Sequence, residues 1–341
     1  MTVHDVLIVG AGPAGSALAI HLARQGRDVL LIDRAEFPRE KACGEGIVPA
    51  GVAALERLGV EVHGVPFHGL RYRHGQRLVH GEFPGGHFGL GIRRRDLDAA
   101  LFEAARAERN VTVLTGIRVD APLFECDRVT GVRAADLEFR ATLTIAADGA
   151  NSALRHKLGW DASKPTRRHG MRRHYRATEP APDWVEVWLN PDYETYITPL
   201  PNQELLVATL GNAHAEPEGL EPIDQPLGAA PLTVRAHTRV GAGCVLLGDA
   251  AGNCDPITGG GVTHALLTAE LLATHLREFP PTLDTLRAFD YEREQLLRSF
   301  RRLTAGVLAL NRHPSLTDPA LALLSSSPWL FSRLLGIAGG I

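Results

Sequence analysis

The sequence predicts an α/β protein with a nucleotide-binding βαβ unit of Rossmann type, an inserted antiparallel sheet and a helical C-terminal segment. Three stretches carry this reading. GAGPAG at 10–15 lies between an apolar strand and a helix, AADGANSALR at 146–155 follows another apolar strand, and GDAAGNCDPITGGG at 248–261 joins a third to a long helix. Between the second and third, from 164 to 237, short strands alternate with proline and asparagine turns, as in an antiparallel sheet.

The first unit is a strand from Asp5 to Val9, a helix from Ala14 to Gln25 capped by Gly26, and a strand from Val29 to Ile32 that ends in Asp33. Gly10, Gly12 and Gly15 form G-x-G-x-x-G around Pro13 and Ala14. The first glycine makes the tight turn, the second admits a pyrophosphate to the backbone, and the third lets the helix pack on the strand. Asp33 stands about 20 residues on, where a carboxylate accepts hydrogen bonds from an adenosine ribose and repels a 2′-phosphate. The ligand is therefore FAD or NAD rather than NADP. Arg34 reads as an adenosine contact or a solvated charge.

In the third stretch, the strand Cys244 to Leu247 enters the glycine loop Gly248 to Gly261. Val262, Ala265, Leu266, Ala269, Leu272, Ala273 and Leu276 then recur at helical spacing. Such a helix start turns free N–H groups and a positive dipole end toward an anion. Asp249 beside it suits hydroxyl donors instead. A flavin dinucleotide offers both hydroxyls and negative charge.

The segment Phe37 to Gly51, FPREKACGEGIVPAG, reads as a long functional loop before a helix from Val52 to Leu58. It places Lys41, Cys43 and Glu45 together as a cation, a thiol and a carboxylate. Phe67 to Arg73 and Arg77 to Phe83 form a hairpin, and Arg93-Arg94-Arg95 opens a helix to Ala107. Cations are disfavoured at a helix start, so at least one of these arginines needs a polar or anionic partner. Val111 to Thr115 is a strand, Val129 to Ala134 and Leu137 to Ala141 a hairpin, and Leu143 to Ala147 a further strand. In the middle sheet, the strands are His169 to Ala177, Val185 to Leu189, Tyr193 to Thr198 and Leu205 to Leu210. Trp188, Tyr193 and Tyr196 there are the candidate substrate contacts. Glu216 to Pro231 reads as a loop and Leu283 to Leu303 as an amphipathic helix, with Pro314, Pro319 and Pro328 dividing the helices that follow. The apolar end, Pro328 to Ile341, either packs on the chain or makes peripheral contact with a membrane.

Composition narrows the class. A formal net charge of -3 over 341 residues gives no reason to expect nucleic acid, and the four cysteines show no metal-ligand or disulfide spacing. No metal is expected, and reduced thiols without a signal peptide or a membrane-spanning apolar run point to a cytoplasmic protein.

In their order and spacing, the three motifs resemble the FAD-dependent oxidoreductases of the p-hydroxybenzoate hydroxylase fold over essentially the whole chain. The KACGEG loop and DPITGGGV are most similar to the geranylgeranyl reductase group. The resemblance implies a glutathione-reductase-like FAD-binding domain from 1–66, 90–163 and 238–282. It also implies a substrate domain from 67–89 and 164–237, and a C-terminal helical segment, 283–341. It assigns the pyrophosphate to Gly10, Gly12 and Gly15, the adenine ribose to Asp33, and the flavin nucleotide to Arg94. Asp148 and Gly149 form the second fingerprint, and Gly248 and Asp249 hold the ribityl chain. Pro256, Gly259, Gly260, Gly261 and Val262 meet the flavin pyrimidine edge, and the Lys41 to Gly46 loop, with Cys43 and Gly44, lies beside the isoalloxazine.

The implied activity is reduction of carbon–carbon double bonds in a hydrophobic, isoprenoid-type substrate, with Cys43 as wall or proton source and Lys41 and Glu45 beside it. The alternative is hydroxylation of an aromatic or polyketide-like compound through a flavin hydroperoxide. NAD(P)H or a reductase partner would be a transient electron donor, and Cys43 and Cys254 could approach each other near the flavin.

Overall fold

The apolar strands of the three motifs become the centre of one sheet. Its main path runs Val240–Gly241, Cys244–Leu246, Leu137–Ala146, Val3–Val9, Val29–Ile32, Val111–Leu114, and the four junctions from Cys244–Leu246 onward are parallel. Parallel strands are buried on both faces, which is why Val29–Ile32 is an unbroken apolar run with every residue buried. Alternate residues serve opposite faces: Ile8, Leu31, Ile145 and Val245 join one core, and Leu7, Leu30, Ala146 and Leu246 the other.

The structure, a computed structural model, describes residues 2–177, 182–213, 217 and 219–341. Its α-helices there are α1 (Pro13–Arg24), α2 (Pro49–Leu58), α3 (Arg94–Ala107), α4 (Ala153–Lys157), α5 (Gly261–Glu278), α6 (Leu283–Asn311), α7 (Pro314–Ser326) and α8 (Pro328–Gly339). α1, α3 and α5 cover the first face of the sheet. Leu154 of α4 and the antiparallel pair Ala121–Glu125 and Arg128–Ala134 lie on the second.

Leu137–Ala146 is one strand, not the two expected around Thr142. Its start pairs antiparallel with Arg128–Ala134 and its end parallel with Val3–Val9, so one period-2 run serves two environments. Ala121–Glu125 escapes sequence reading because Pro122 looks like a breaker, yet proline is tolerated on the edge strand it occupies.

A second sheet, of eight strands, runs Glu221–Pro222, His169–Arg176, Glu204–Gly211, Tyr193–Leu200, Trp184–Leu189, Gly69–His74, Arg77–Glu82, with Leu227–Ala229 also paired to His169–Arg176. All of its pairs are antiparallel except Trp184–Leu189 with Gly69–His74. The stretch expected as a loop from 216 to 231 therefore contributes two short strands. Glu216 itself lies outside the described residues.

Three helices also differ from expectation. α2 starts at Pro49, not Val52, because proline is pre-set for the first helical position. Gly51 inside it lets α2 meet α5: a Cβ there would lie 2.3 Å from Thr263 Oγ1. α6 continues past Leu303 to Asn311, and α7 absorbs Pro319, which forgoes the one bond to the Ser315 carbonyl.

The C-terminal segment packs on the chain. Leu321, Phe331 and Leu335 of α7 and α8 form one core with Phe67, Val79, Phe83 and Val185. Among the described residues no single helix is long and apolar enough to cross a membrane, and α7 and α8 meet at a 107° bend.

Candidate cofactor and substrate site

Between the two sheets and the C-terminal helices lies a cavity of about 1130 Å³. The three glycine motifs meet in one half of it. From the first come Gly10, Gly12, Pro13 and Ala14, with Asp33 and Arg34 at the end of the second strand. Asp148 and Gly149 come from the second motif, Gly248, Asp249, Pro256 and Gly259 to Val262 from the third. Lys41, Cys43, Gly44, Glu45 and Arg94 complete this wall.

Gly15 does not line the cavity. A Cβ there would lie 1.8 Å from the Gly10 carbonyl oxygen, so it serves the contact of helix with strand. Gly10 is held at φ +105° with its Cβ position 2.3 Å from the Ala147 oxygen, where no side chain fits. Asp33 is braced at this turn, its Oδ2 accepting the Ala11 N–H at 2.7 Å and its Oδ1 the Ala35 N–H at 2.8 Å.

This half has the shape and charge for a dinucleotide. A Cβ on Gly44, Gly259 or Gly261 would meet nothing within 4 Å, so the bare backbone leaves an open cradle there. Beside Gly12, the nearest atoms to such a Cβ are the guanidinium nitrogens of Arg39 at 3.5 Å and Arg94 at 4.0 Å. Arg94 Nε bonds Asp98 Oδ1 at 2.6 Å, and Arg39 lies 3.2 Å from the other oxygen. Burial opposes the Arg94 charge, and Asp98 and Cys43 together outweigh it, holding the guanidinium pKa well above its ordinary value. Half-buried Lys41 adds a third cation; burial and Arg94 push its pKa down while Asp249 opposes them. Arg39 and Arg94 thus bring guanidinium donors to the Gly12 turn, and Lys41 brings an ammonium to Gly149, donors that suit a pyrophosphate.

Two further features are open to other parts of a dinucleotide. Asp148 Oδ1 is buried without a partner among the described residues, and burial raises the carboxyl pKa. At the start of α5, Gly260 caps the helix without any side-chain bond, so its free N–H groups are left for a ligand.

Residues 3–218 match the family described as "FAD binding domain". A menaquinone reductase of Mycobacterium tuberculosis is 32% identical, over 79% of this chain and 75% of its own length. The chain belongs to the FAD-dependent oxidoreductases. A digeranylgeranylglycerophospholipid reductase of Methanosarcina acetivorans is 30% identical to this flavoprotein, over 77% of the chain and 72% of the relative. The crystal structure of a flavoprotein/dehydrogenase from Cytophaga hutchinsonii has the same fold, with a TM-score of 0.83 at 19% identity, covering 99% of this chain and 93% of the other.

The other half of the flavoprotein's cavity is apolar. One face of the second sheet supplies Leu70, Tyr72, Val185 and Leu189, and the C-terminal helices close over it with Leu321 and Phe331. Tyr196 lies on this face and lines the cavity. Its hydroxyl donates to the Ile257 carbonyl at 2.5 Å, which ties the sheet to the glycine loop, and burial holds its pKa well above the ordinary value.

Trp188 and Tyr193 are corrections: neither lines the cavity. Trp188 pairs with Thr195 and so shares the opposite face of the sheet, packing with Tyr175, Ile197 and Val207 under the Arg73 guanidinium. Tyr193, three residues from Tyr196 on one strand, also points to the face opposite it.

Glu45 lines the cavity, but its carboxylate is not free to act there. Its side chain has no exposed surface, and both oxygens are engaged. Cys43 is half-buried beside Arg94, with its Sγ accepting the Glu45 N–H at 3.4 Å. Cys254 also lines the cavity, beside Arg301, and burial pushes its thiol pKa up. All four cysteines are free, so Cys43 and Cys254 form no disulfide. The arginine cluster has its expected partners, Arg93 with Glu204 and Arg94 with Asp98.

Sequence reasoning missed Arg155, the last residue of the second motif. It bonds the Ala150 carbonyl at 2.6 Å and the Ala250 carbonyl at 3.1 Å, locking the second glycine loop to the third. It also missed Arg172, His174 and Asp224, which hold the loop that carries Cys43.

Proposed function

We propose that this flavoprotein reduces carbon–carbon double bonds in a long apolar substrate of isoprenoid type. The observation that carries this reading is the apolar half of the cavity, continuous with the glycine-lined half. A volume of about 1130 Å³ exceeds the ~300–1,000 Å³ usual for one small ligand, which supports a dinucleotide and a substrate held together. Menaquinone and digeranylgeranylglycerophospholipid, named in the relatives' activities, both carry isoprenoid chains. The second sheet, built from pieces within 67–89 and 164–237, serves as the inserted substrate domain in this reading.

FAD supplies the electron pair for the reduction. Gly10, Gly12, Arg39 and Arg94 bind its pyrophosphate, Asp33 accepts from the adenosine ribose, and Asp249 accepts from the ribityl hydroxyls. The uncapped start of α5 favours negative charge at the flavin ring edge. Leu70, Val185, Leu189 and Phe331 exclude water and align the chain of the substrate. Cys43 stands on the wall of the glycine-lined half, where its Sγ serves as wall or proton source. NAD(P)H or a reductase partner is the transient donor, since the single G-x-G-x-x-G unit is committed to FAD. α7 and α8, which wall the apolar half, expose Leu316, Leu323 and Trp329, which supports peripheral contact with a lipid surface.

The test is anaerobic reduction of the FAD-loaded protein by NADH or NADPH, followed by addition of menaquinone or a geranylgeranyl lipid. Reoxidation with a product that carries one more H₂ in its isoprenoid chain, and keeps it after air returns any quinol to the quinone, supports the proposal. Reoxidation only by oxygen, with an oxygen atom in the product, assigns the protein to hydroxylation instead.

A further inference from the structure

The loop that carries Cys43 is fixed to the second sheet by a buried ionic contact that the binding of FAD and substrate does not use. Glu45 stands at φ +57°, a left-handed conformation that costs a residue with a Cβ about 1–2 kcal/mol, so its neighbours must hold it there. Its Oε1 accepts the Arg94 N–H at 3.0 Å, and its Oε2 lies 2.8 Å from His174 Nε2. On the other side of the ring, His174 Nδ1 lies 2.6 Å from Asp224 Oδ2, while Asp224 Oδ1 accepts the His174 backbone N–H at 2.9 Å. The His174 side chain has no exposed surface.

A neutral imidazole has a single N–H, so one of these two carboxylates would face a lone pair. Only the imidazolium bonds both. Burial opposes its charge, and the bonds to Glu45 and Asp224 outweigh burial, so its pKa lies above the ordinary histidine value. Two cations oppose the imidazolium: Arg172 Nη1, a donor only, lies 3.1 Å from Nδ1 on the same strand and pairs with Asp224 and with Glu40 of the loop, and Arg93 pairs with Glu204.

We propose that His174 is a positioning residue: held between Glu45 and Asp224, it clamps the 40–45 loop on the second sheet and sets where Cys43 and Gly44 stand on the cavity wall. The Cys43 Sγ bond to the Glu45 N–H and the Thr198 hydroxyl bond to the Gly44 carbonyl at 2.8 Å carry that placement along the loop. Because the folded-state pKa is raised, the clamp is complete below the unfolded histidine value of about 6.5 and is lost as pH rises through the higher folded value.

The test is iodoacetamide labelling of the full-length, FAD-loaded chain from about pH 6 to about pH 9, across the histidine range, with each cysteine read by peptide mass spectrometry. Exposed Cys126 reports thiol ionisation and buried Cys244 reports unfolding. In the parent chain, Cys43 labelling relative to Cys126 should rise with pH by roughly tenfold or more. In His174→Gln it should already be high at the acid end and flat, while Cys244 stays protected. Cys43 protection that is unchanged in His174→Gln overturns the proposal, as does a parent ratio that stays flat with pH. If His174→Gln also exposes Cys244, Asp224→Asn decides: selective exposure of Cys43 supports the clamp, and parental protection overturns it.

Discussion

Asp98 holds Arg94 one helical turn earlier on α3, oxygen to Nε at 2.6 Å, and its carboxylate has no exposed surface. The pair aims a guanidinium at the glycine turn while the same carboxylate steadies Arg39. Asp98→Asn leaves buried Arg94, and with it half-buried Arg39, without their carboxylate, and breaking a buried pair typically costs about 3–5 kcal/mol. Urea unfolding should register a loss of that order. The affinity for FAD, followed by quenching of flavin fluorescence, should fall with it, because the arginines lose the partner that orients them.

Tyr196→Phe isolates a single hydrogen bond. The hydroxyl is the donor to the Ile257 carbonyl in the turn before α5. Its removal leaves a buried acceptor unmet, at a cost of about 1–3 kcal/mol in urea unfolding. The ring remains, so the apolar wall keeps its shape and FAD should still bind.

The glycine motifs were legible because their demands are local. Gly10 and Gly15 are required by backbone contacts within a few residues or across one strand pair, and such contacts leave a fixed spacing in the sequence. His174 was not legible: its partner Glu45 is 129 residues away, and only the register of the second sheet brings them together. Trp188 and Tyr193 show a different limit. Alternation separates the two faces of their strands, but which face bears the cavity depends on where α7 and α8 dock, far along the chain. Arg155 lay inside a motif that was read, yet its carbonyl partners could not be foreseen before the second and third loops were brought together.

His264 gives the protein a defined acid sensitivity. Its ring stands edge-on to Phe300, with centroids 4.0 Å apart, and burial together with Arg293 and Arg301 lowers its pKa to about 3. The unfolded chain takes up this proton near pH 6.5 and the folded chain does not, so stability falls as pH drops below that value. Between pH 6.5 and 5 the contribution is about 2 kcal/mol at ~1.4 kcal/mol per pH unit. Urea unfolding of the parent chain and His264→Asn at pH 7 and pH 5 checks it: the parent should lose about that much more on acidification.

Gly81 tests whether the roof of the apolar half is set by α8. A Cβ at this position would lie 2.7 Å from the Phe331 ring, and Phe331 is a buried member of the core that joins α8 to the second sheet. Gly81→Val therefore cannot be absorbed without moving the helix, and overpacking of this kind costs about 1–3 kcal/mol. The glycine cradle lies on other elements, so FAD affinity should remain close to that of the parent. The effect should fall on the apolar half alone: KM for a long isoprenoid substrate should rise, while reduction of a short alkene should change less. Equal losses for both substrates would mean that α8 does not shape the wall on which the long chain lies.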